Sequence, residues 1–277
     1  METLLGVLVS IVKRTRRKVE SFVVKCELDP PKARSWREKI LQILHDKVLR
    51  PDVAKKLAGR LNFAVCAAVG GPGGARLREI YRHSYCLRAF SASLEEELLW
   101  WAEHLLNPRP VYVPIGPRPD RVVILYTDAA GSGGVGGVLS TPDKLLWFRG
   151  SLDISKMNLE SRKTQIIPLE AAAPLIAVRL LKFEMAASKL VVFIDNQFAL
   201  GALRKGRSDS NDVHAIVSAF NDILRELSIR PVFRWVPSGL NIADYPSRGI
   251  SLKTVFPEVF SSSIEVPSRK VLESMYR

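Results

Sequence analysis

The chain has 277 residues, 47% of them hydrophobic, with 41 Lys and Arg against 28 Asp and Glu, a net charge of +13. That length sets one large or two ordinary domains with a sizeable core. The basic excess selects an acidic partner, nucleic acid first, over a merely solvated surface, and both halves carry it: residues 1–110 hold 20 cations against 12 acids, the remainder 21 against 16.

Residues 4–12 and 19–27 are strand-like and flank the run Lys13, Arg14, Thr15, Arg16, Arg17, Lys18, which predicts a small β-hairpin with a basic tip suited to a phosphate backbone. The apolar start is too short to span a bilayer, and its cations follow the apolar run, the reverse of a secretory signal. Cys26, Cys66 and Cys86 lack metal-ligand spacing and read as reduced, buried thiols, so the expected location is intracellular, cytoplasm or nucleus, with no transmembrane segment and no membrane partner. Pro30 and Pro31 break the chain. Residues 32–46 form an amphipathic helix with Trp36, Ile40, Ile43 and Leu44 on one face. Pro51 opens a second helix to about residue 69, the glycines of 70–74 make a turn, and residues 76–90 read as helical, carrying Arg76, Arg78, Arg82 and Arg88. Ser93 with Glu96 reads as a capping box for a helix holding Trp100 and Trp101 as core. Five prolines in residues 107–120 read as a linker. The expected division is a basic, mostly α-helical module over 1–107, a Pro-rich linker over 108–120, a second domain over 121–250 and a tail over 251–277 that carries little signal.

The second domain opens on the apolar run Val122 to Leu125, a buried strand that ends in Asp128. The glycine-dense segment that follows lacks the Gly-Lys-Ser/Thr of a phosphate loop and reads as a hairpin turn. Residues 134–140 and 144–150 complete an antiparallel meander. A loop with Lys156, Arg162 and Lys163 leads to a helix from Pro168 to about Glu184, restricted at Pro174. Residues 190–194 are a buried strand ending at Asp195 and Asn196. Helices at 198–203 and 212–227, a strand at 231–236 and a final turn or helix at 241–248 follow. The order β-β-β-α-β-α-α-β-α predicts an α/β fold, a mixed sheet with helices on its faces.

Four carboxylates sit at element ends or starts: Asp128, Glu170, Asp195 and Asp244. If the strands of Asp128 and Asp195 are parallel neighbours, both acids share one sheet edge, and Glu170 faces it from its helix. Gathered acids repel one another unless cations hold them, and magnesium suits such an oxygen-rich cluster. Two ions about 4 Å apart can hydrolyse a phosphodiester. Taken singly, each acid has a plainer reading: Asp195 and Asn196 can cap a helix, and Glu170 can complement a helix dipole.

Tyr126-Thr-Asp-Ala-Ala, Ile167-Pro-Leu-Glu-Ala-Ala, Phe193-Ile-Asp-Asn and Asn241-Ile-Ala-Asp-Tyr-Pro-Ser-Arg resemble the four active-site blocks of retroelement ribonuclease H domains, over roughly residues 122–248. Trp235-Val-Pro-Ser-Gly-Leu-Asn-Ile-Ala-Asp is especially similar to the last block, and Leu203-Arg-Lys-Gly-Arg-Ser resembles DIRS-type retroelements most. The resemblance implies a ribonuclease H-like fold. It also implies cleavage of the RNA strand of RNA–DNA hybrids with two Mg2+ ions, Mn2+ able to substitute, and Asp128, Glu170, Asp195 and Asp244 as catalytic metal ligands. The first module resembles the thumb and connection of a reverse transcriptase. No Tyr-x-Asp-Asp motif is present, so no polymerase activity is expected from this chain alone, and the upstream palm and fingers of the same polyprotein are the implied partner.

The resemblance departs from the family in two places: no histidine lies between Trp235 and Asp244, and no separate basic handle helix is present. The expected nucleic-acid contacts are Lys13, Arg14, Arg16, Arg17, Lys18, Arg76, Arg78, Arg82, Asn196, Arg204, Lys205 and Arg248, with much of the hybrid affinity carried by residues 1–110. The competing reading pairs those arginines with Glu79 and Glu95–Glu97. Two rival functions remain: a DDE-type integrase, disfavoured because its last acid is a helical glutamate, and an inactive ribonuclease H-like module that only binds or braces.

Overall fold

The computed structural model describes residues 2–4, 7–16, 19–65, 72–108, 110–114 and 121–267. The chain divides into two compact units, Met1–Pro119 and Asp120–Arg277.

The first unit is a four-stranded antiparallel sheet, β1 (Glu2–Leu4), β2 (Val7–Arg16), β3 (Val19–Leu28) and β4 (Val111–Pro114), in that spatial order. Among the described residues it also holds five helices: α1 (Pro30–Asp46), α2 (Pro51–Ala64), α3 (Pro72–Ala75), α4 (Arg78–Tyr85) and α5 (Ala92–Leu106). The expected hairpin is β2 and β3, with Ile11 opposite Val24 and Arg16 opposite Val19. Arg17 and Lys18 of its basic tip, with Cys66, lie outside the described residues. Val111–Pro114, within the stretch read as a linker, is an edge strand paired with β3; proline is tolerated there because its missing N–H faces no partner. The α5 cap is Ser91, whose hydroxyl accepts from the Leu94 amide at 3.2 Å, and not Ser93. Cys86 is exposed and Cys26 half-buried, so neither is the buried thiol expected.

Helical periodicity in α1, α2 and α5 turns Trp36, Ile40, Leu57, Leu61, Leu98 and Trp101 into one core. The Glu97 carboxylate reaches from α5 to the start of α4 and accepts from the Glu79 amide at 2.9 Å. It thereby satisfies a donor that helix geometry leaves unpaired. Burial pushes that carboxyl up to about 8.

The second unit is a six-stranded mixed sheet, order β10-β7-β6-β5-β8-β9. The strands are β5 (Val122–Ala129), β6 (Gly134–Ser140), β7 (Leu145–Ser151), β8 (Lys189–Ile194), β9 (Arg230–Trp235) and β10 (Ile264–Val266). β5, β6 and β7 form the antiparallel meander, while β8 runs parallel to both β5 and β9. Helices α6 (Ile166–Leu180), α7 (Lys182–Met185), α8 (Gln197–Lys205) and α9 (Asn211–Glu226) supply the connections. Over residues 121–250 the predicted order of elements is the order observed, with the helix expected to run to Glu184 divided into α6 and α7.

Helix α6 begins at Ile166, two residues before Pro168, and ends at Leu180. Pro168 costs nothing at that point because first-turn amides have no intrahelical acceptor. From Pro168 to Val178 every residue is buried. An all-round apolar helix needs cover on both sides, and α6 packs on β5 and β6 and against α8 and α9.

The opposite sheet face is covered by α10 (Asp244–Ser247), α11 (Leu252–Val255) and α12 (Pro257–Phe260), after which β10 adds to β7 in parallel. Residues 252–266 of the expected tail are thus structural elements. Leu252 and Phe260 are buried with Trp147 and Val138, and Tyr245, Phe256 and Ile242 pack around them. The Trp147 indole donates to Ser263 Oγ at 3.2 Å. We expect Phe260→Ala to cost about 3–5 kcal/mol in the second unit, the cost of an unfilled aromatic site. Chemical denaturation monitored by tryptophan fluorescence should show it, and a loss under 1 kcal/mol would mean the cover is not part of the cooperative unit.

Candidate metal centre

β5 and β8 are parallel with Tyr126 opposite Phe193. Two residues further on, Asp128 and Asp195 therefore emerge at the same carboxyl edge, where α/β sheets place their ligands. Glu170, in the second turn of α6, is 4% exposed, and Asp128 is 5% exposed. Each of the three offers an oxygen within 4.8 Å of the other two.

Asp244 arrives on the turn after β9, and the floor beneath that turn is bare backbone. A Cβ added at Gly136, the register partner of Asp128, would lie 2.4 Å from the Ser247 amide nitrogen and 2.9 Å from the Ala243 carbonyl oxygen. At Gly134 it would lie 2.0 Å from the Ser247 carbonyl oxygen. Only glycine lets α10 sit this close, and the approach brings the Ser247 hydroxyl to Asp128 Oδ2, to which it donates. Asn241 fixes the same turn: its Nδ2 donates to the Thr127 carbonyl at 3.0 Å, and its Oδ1 accepts from the Ala243 amide at 3.2 Å. Neither Ser247 nor Asn241 stands out in the sequence as a positioning residue. The glycine density of β6 was the available signal, and it reads as a turn unless one asks what lies over the strand.

Asp128, Glu170, Asp195, Asp244 and Arg248 line one cleft of about 280 Å³ with Ala130, Gly131 and Ser238. Asp244 is outside the three-acid cluster, and Arg248 holds its Oδ1 through Nε at 2.8 Å. Burial pushes the Glu170 carboxyl up to about 9, reinforced by the nearby charges of Asp128 and Asp195. Burial also raises Asp128, against the Ser247 hydrogen bond, which lowers it. Glu170 Oε2 and Asp195 Oδ1 are buried and have no hydrogen-bond partner. Two orphaned carboxylate oxygens facing a wall of like charge fit a hard divalent cation, and the all-oxygen donor set suits magnesium or manganese over zinc.

The other expected contacts are placed as follows. Asn196 caps α8, accepting from the Phe198 and Ala199 amides at 3.0 and 3.1 Å. Arg204 donates to the Phe233 carbonyl at 3.0 Å, and Lys205 is exposed. Arg78 is buried, Arg76 pairs with Glu96 at 2.8 Å and Arg82 with Glu79 at 2.9 Å. Arg76 and Arg82 are thus paired within their own unit, and Arg78 lies 3.9 Å from the Glu79 carboxylate. Lys13 is exposed, while the side chains of Arg14 and Arg16 lie outside the description. No histidine lines the cleft.

No family profile matches the chain, and no curated protein sequence matches it. Among solved structures, the chain is similar to the N-terminal ribonuclease H domain of a Mycobacterium tuberculosis protein solved as a maltose-binding protein fusion: 18% identity, TM-score 0.37, 47% of this chain and 92% of that one. It is also similar to ribonuclease H1 from the archaeon Halobacterium salinarum: 16% identity, TM-score 0.35, 46% and 92% covered. A third is LC11 ribonuclease H1 in complex with an RNA/DNA hybrid: 15% identity, TM-score 0.37, 48% and 98% covered. The fold of the second unit, with its strand order and parallel β5–β8 pair, is a mixed-sheet α/β fold.

Two outcomes are expected. Gly136→Ala should displace α10 and weaken Mn2+ binding in calorimetry at least tenfold while far-ultraviolet circular dichroism is kept, because backbone on both sides cannot yield as a side chain would. Gly201→Ala, which meets nothing within 4 Å, should leave the ion affinity alone. The second outcome concerns pH. Glu170 sits near 9 when folded against 4.5 in an unfolded chain. Its stabilising contribution is therefore complete below about pH 4.5 and lost as pH rises toward 9. Without divalent ion the Tm should fall across that window, and Mg2+ should recover more of it at pH 9 than at pH 5. An equal Mg2+ effect at both ends would place the ion elsewhere.

Proposed function

We propose that the second unit is a divalent-metal-dependent ribonuclease H that cleaves the RNA strand of RNA–DNA hybrids within a retroelement reverse transcriptase of DIRS type. The observation that carries this reading is the three-acid cluster with two orphaned buried oxygens. It sits where four motif blocks similar to the family's active-site blocks converge. Bound ions would supply water activation and stabilisation of the leaving oxygen.

The chain's own groups have separable roles. Asp128 and Asp195 supply charge that gathers the ions, and Glu170 adds its own once it gives up its proton. Ser247 holds Asp128 in one rotamer. Burial of Glu170 keeps a proton on it until an ion takes its place. The Trp235 indole, donating to the Asp195 carbonyl at 3.0 Å, ties the end of β9 to the end of β8 and steadies Asp195.

In the same reading residues 1–107 correspond to a thumb and connection, to whose sheet β4 of the following Pro-rich stretch adds an edge strand, and the palm and fingers are partners supplied upstream. The setting is intracellular; among the described residues no helix is long and apolar enough to cross a membrane. Hybrid contact falls to Lys13, Lys205 and Arg248, with Asn196 at the start of α8 and Arg204 in its last turn.

The test is cleavage of a labelled RNA–DNA hybrid in Mg2+. Asp195→Asn, which keeps the shape and loses the charge, should lower the rate at least a hundredfold, and the same protein should give no primer extension. A near wild-type rate for Asp195→Asn would overturn the assignment of that residue, and extension by the pure chain would overturn the reading of its first half.

A further inference from the structure

The cleft holds four acids and one cation, Arg248. Its Nε and its terminal nitrogen both lie 2.8 Å from Asp244 Oδ1, one helical turn back on α10, so Oδ2 takes neither bond. The α10 backbone cannot carry Asp244 elsewhere, because it rests on Gly134 and Gly136 and is tied through Ser247 to Asp128. The placement of the fourth carboxylate relative to the other three is therefore decided by its partner. That partner is 64% exposed. An exposed ion pair is weak and readily exchanged. A divalent cation at the three-acid cluster offers Asp244 a stronger partner, and a released guanidinium at the rim of an anion-binding cleft has a phosphate as its natural acceptor, which it can grip with two donors.

We propose that Arg248 is an exchangeable internal cation, neutralising Asp244 while no divalent ion is bound and turning to a phosphate oxygen of the nucleic-acid strand once the ion takes Asp244. This rests on the nuclease reading and adds regulation to it. Ion and strand each free the group the other needs, so each tightens the other's binding, and by linkage the two effects are equal. The cleft loads its ions with its substrate. The missing histidine near Asp244 leaves Arg248 as the cation of this turn that lines the cleft.

The experiment uses the full chain as wild type, Arg248→Gln, Arg248→Lys and, for a cation outside the cleft, Lys253→Gln. Mn2+ affinity is measured by calorimetry without nucleic acid. Affinity for a DNA–2′-O-methyl-RNA duplex, which lacks the RNA 2′-hydroxyls, is measured by fluorescence anisotropy with and without Mn2+. The expected result is that Arg248→Gln binds Mn2+ alone about threefold tighter or more, binds the duplex roughly tenfold weaker in Mn2+, and loses most of the Mn2+-dependent gain in duplex affinity. Arg248→Lys should keep part of that gain, and Lys253→Gln should match wild type for Mn2+. Arg248→Gln with unchanged or weaker Mn2+ affinity, or with the full Mn2+-dependent gain, overturns the proposal. Thermal melting checks that each variant folds, and Arg248→Lys, which keeps the charge, decides the matter if the Gln variant does not. Cleavage of an ordinary hybrid by wild type is scored separately. Its absence overturns the nuclease reading and leaves the exchange measurements to stand or fall alone.

Discussion

The centre depends on one close approach, the contact between α10 and the bare backbone of β6. Everything that places Asp244 passes through it. Gly134 and Gly136 remove the side chains that would hold α10 off the sheet, Ser247 then meets Asp128, and Asn241 bonds back to Thr127. Loss of the approach would leave three acids on the sheet edge and its helix, with the fourth adrift. The apolar cover formed by Leu252, Phe256 and Phe260 presses the same turn down from outside. Site geometry and packing on this face are therefore one structure.

The other face works by desolvation. From Pro168 to Val178 α6 is apolar but for Glu170; such a helix is stable only between a sheet and two helices, and Glu170 shares those dry surroundings. Burial of an acid among acids is unfavourable for the free protein, and a cation bound among them would offset that cost. The raised carboxyls and the orphaned oxygens are two expressions of that one arrangement.

Much of this was legible in the sequence. The apolar runs ending in Asp128 and Asp195 mark strands with acids at their rims, and the parallel pairing of β5 and β8 supplies the shared edge that the argument needed. Legibility failed where tertiary context decides. Ser91 and Ser93 both precede apolar helix residues, and backbone direction picks the first. Prolines hid β4 because an edge strand tolerates them. Leu252, Phe256 and Phe260 recur every fourth residue, a helical spacing too brief to read as a cover before Trp147 is seen beneath it. Arg76 and Arg82 pair with Glu96 and Glu79, the alternative that the sequence offered beside a basic face without deciding between them. Charge counts do not show which charges are already spent internally.

The bond between Ser247 and Asp128 joins residues 119 positions apart. Contacts so distant along the chain form late, since the loop between them must first be closed. During synthesis β5, α6 and β8 emerge before the turn that carries Asp244 and well before the cover that seats it. The three early acids gather first, and the fourth arrives only when residues 252–266 have left the ribosome. A nascent chain thus passes through a stage with an acidic rim and no finished cover, so along this edge the order of synthesis is also the order of assembly.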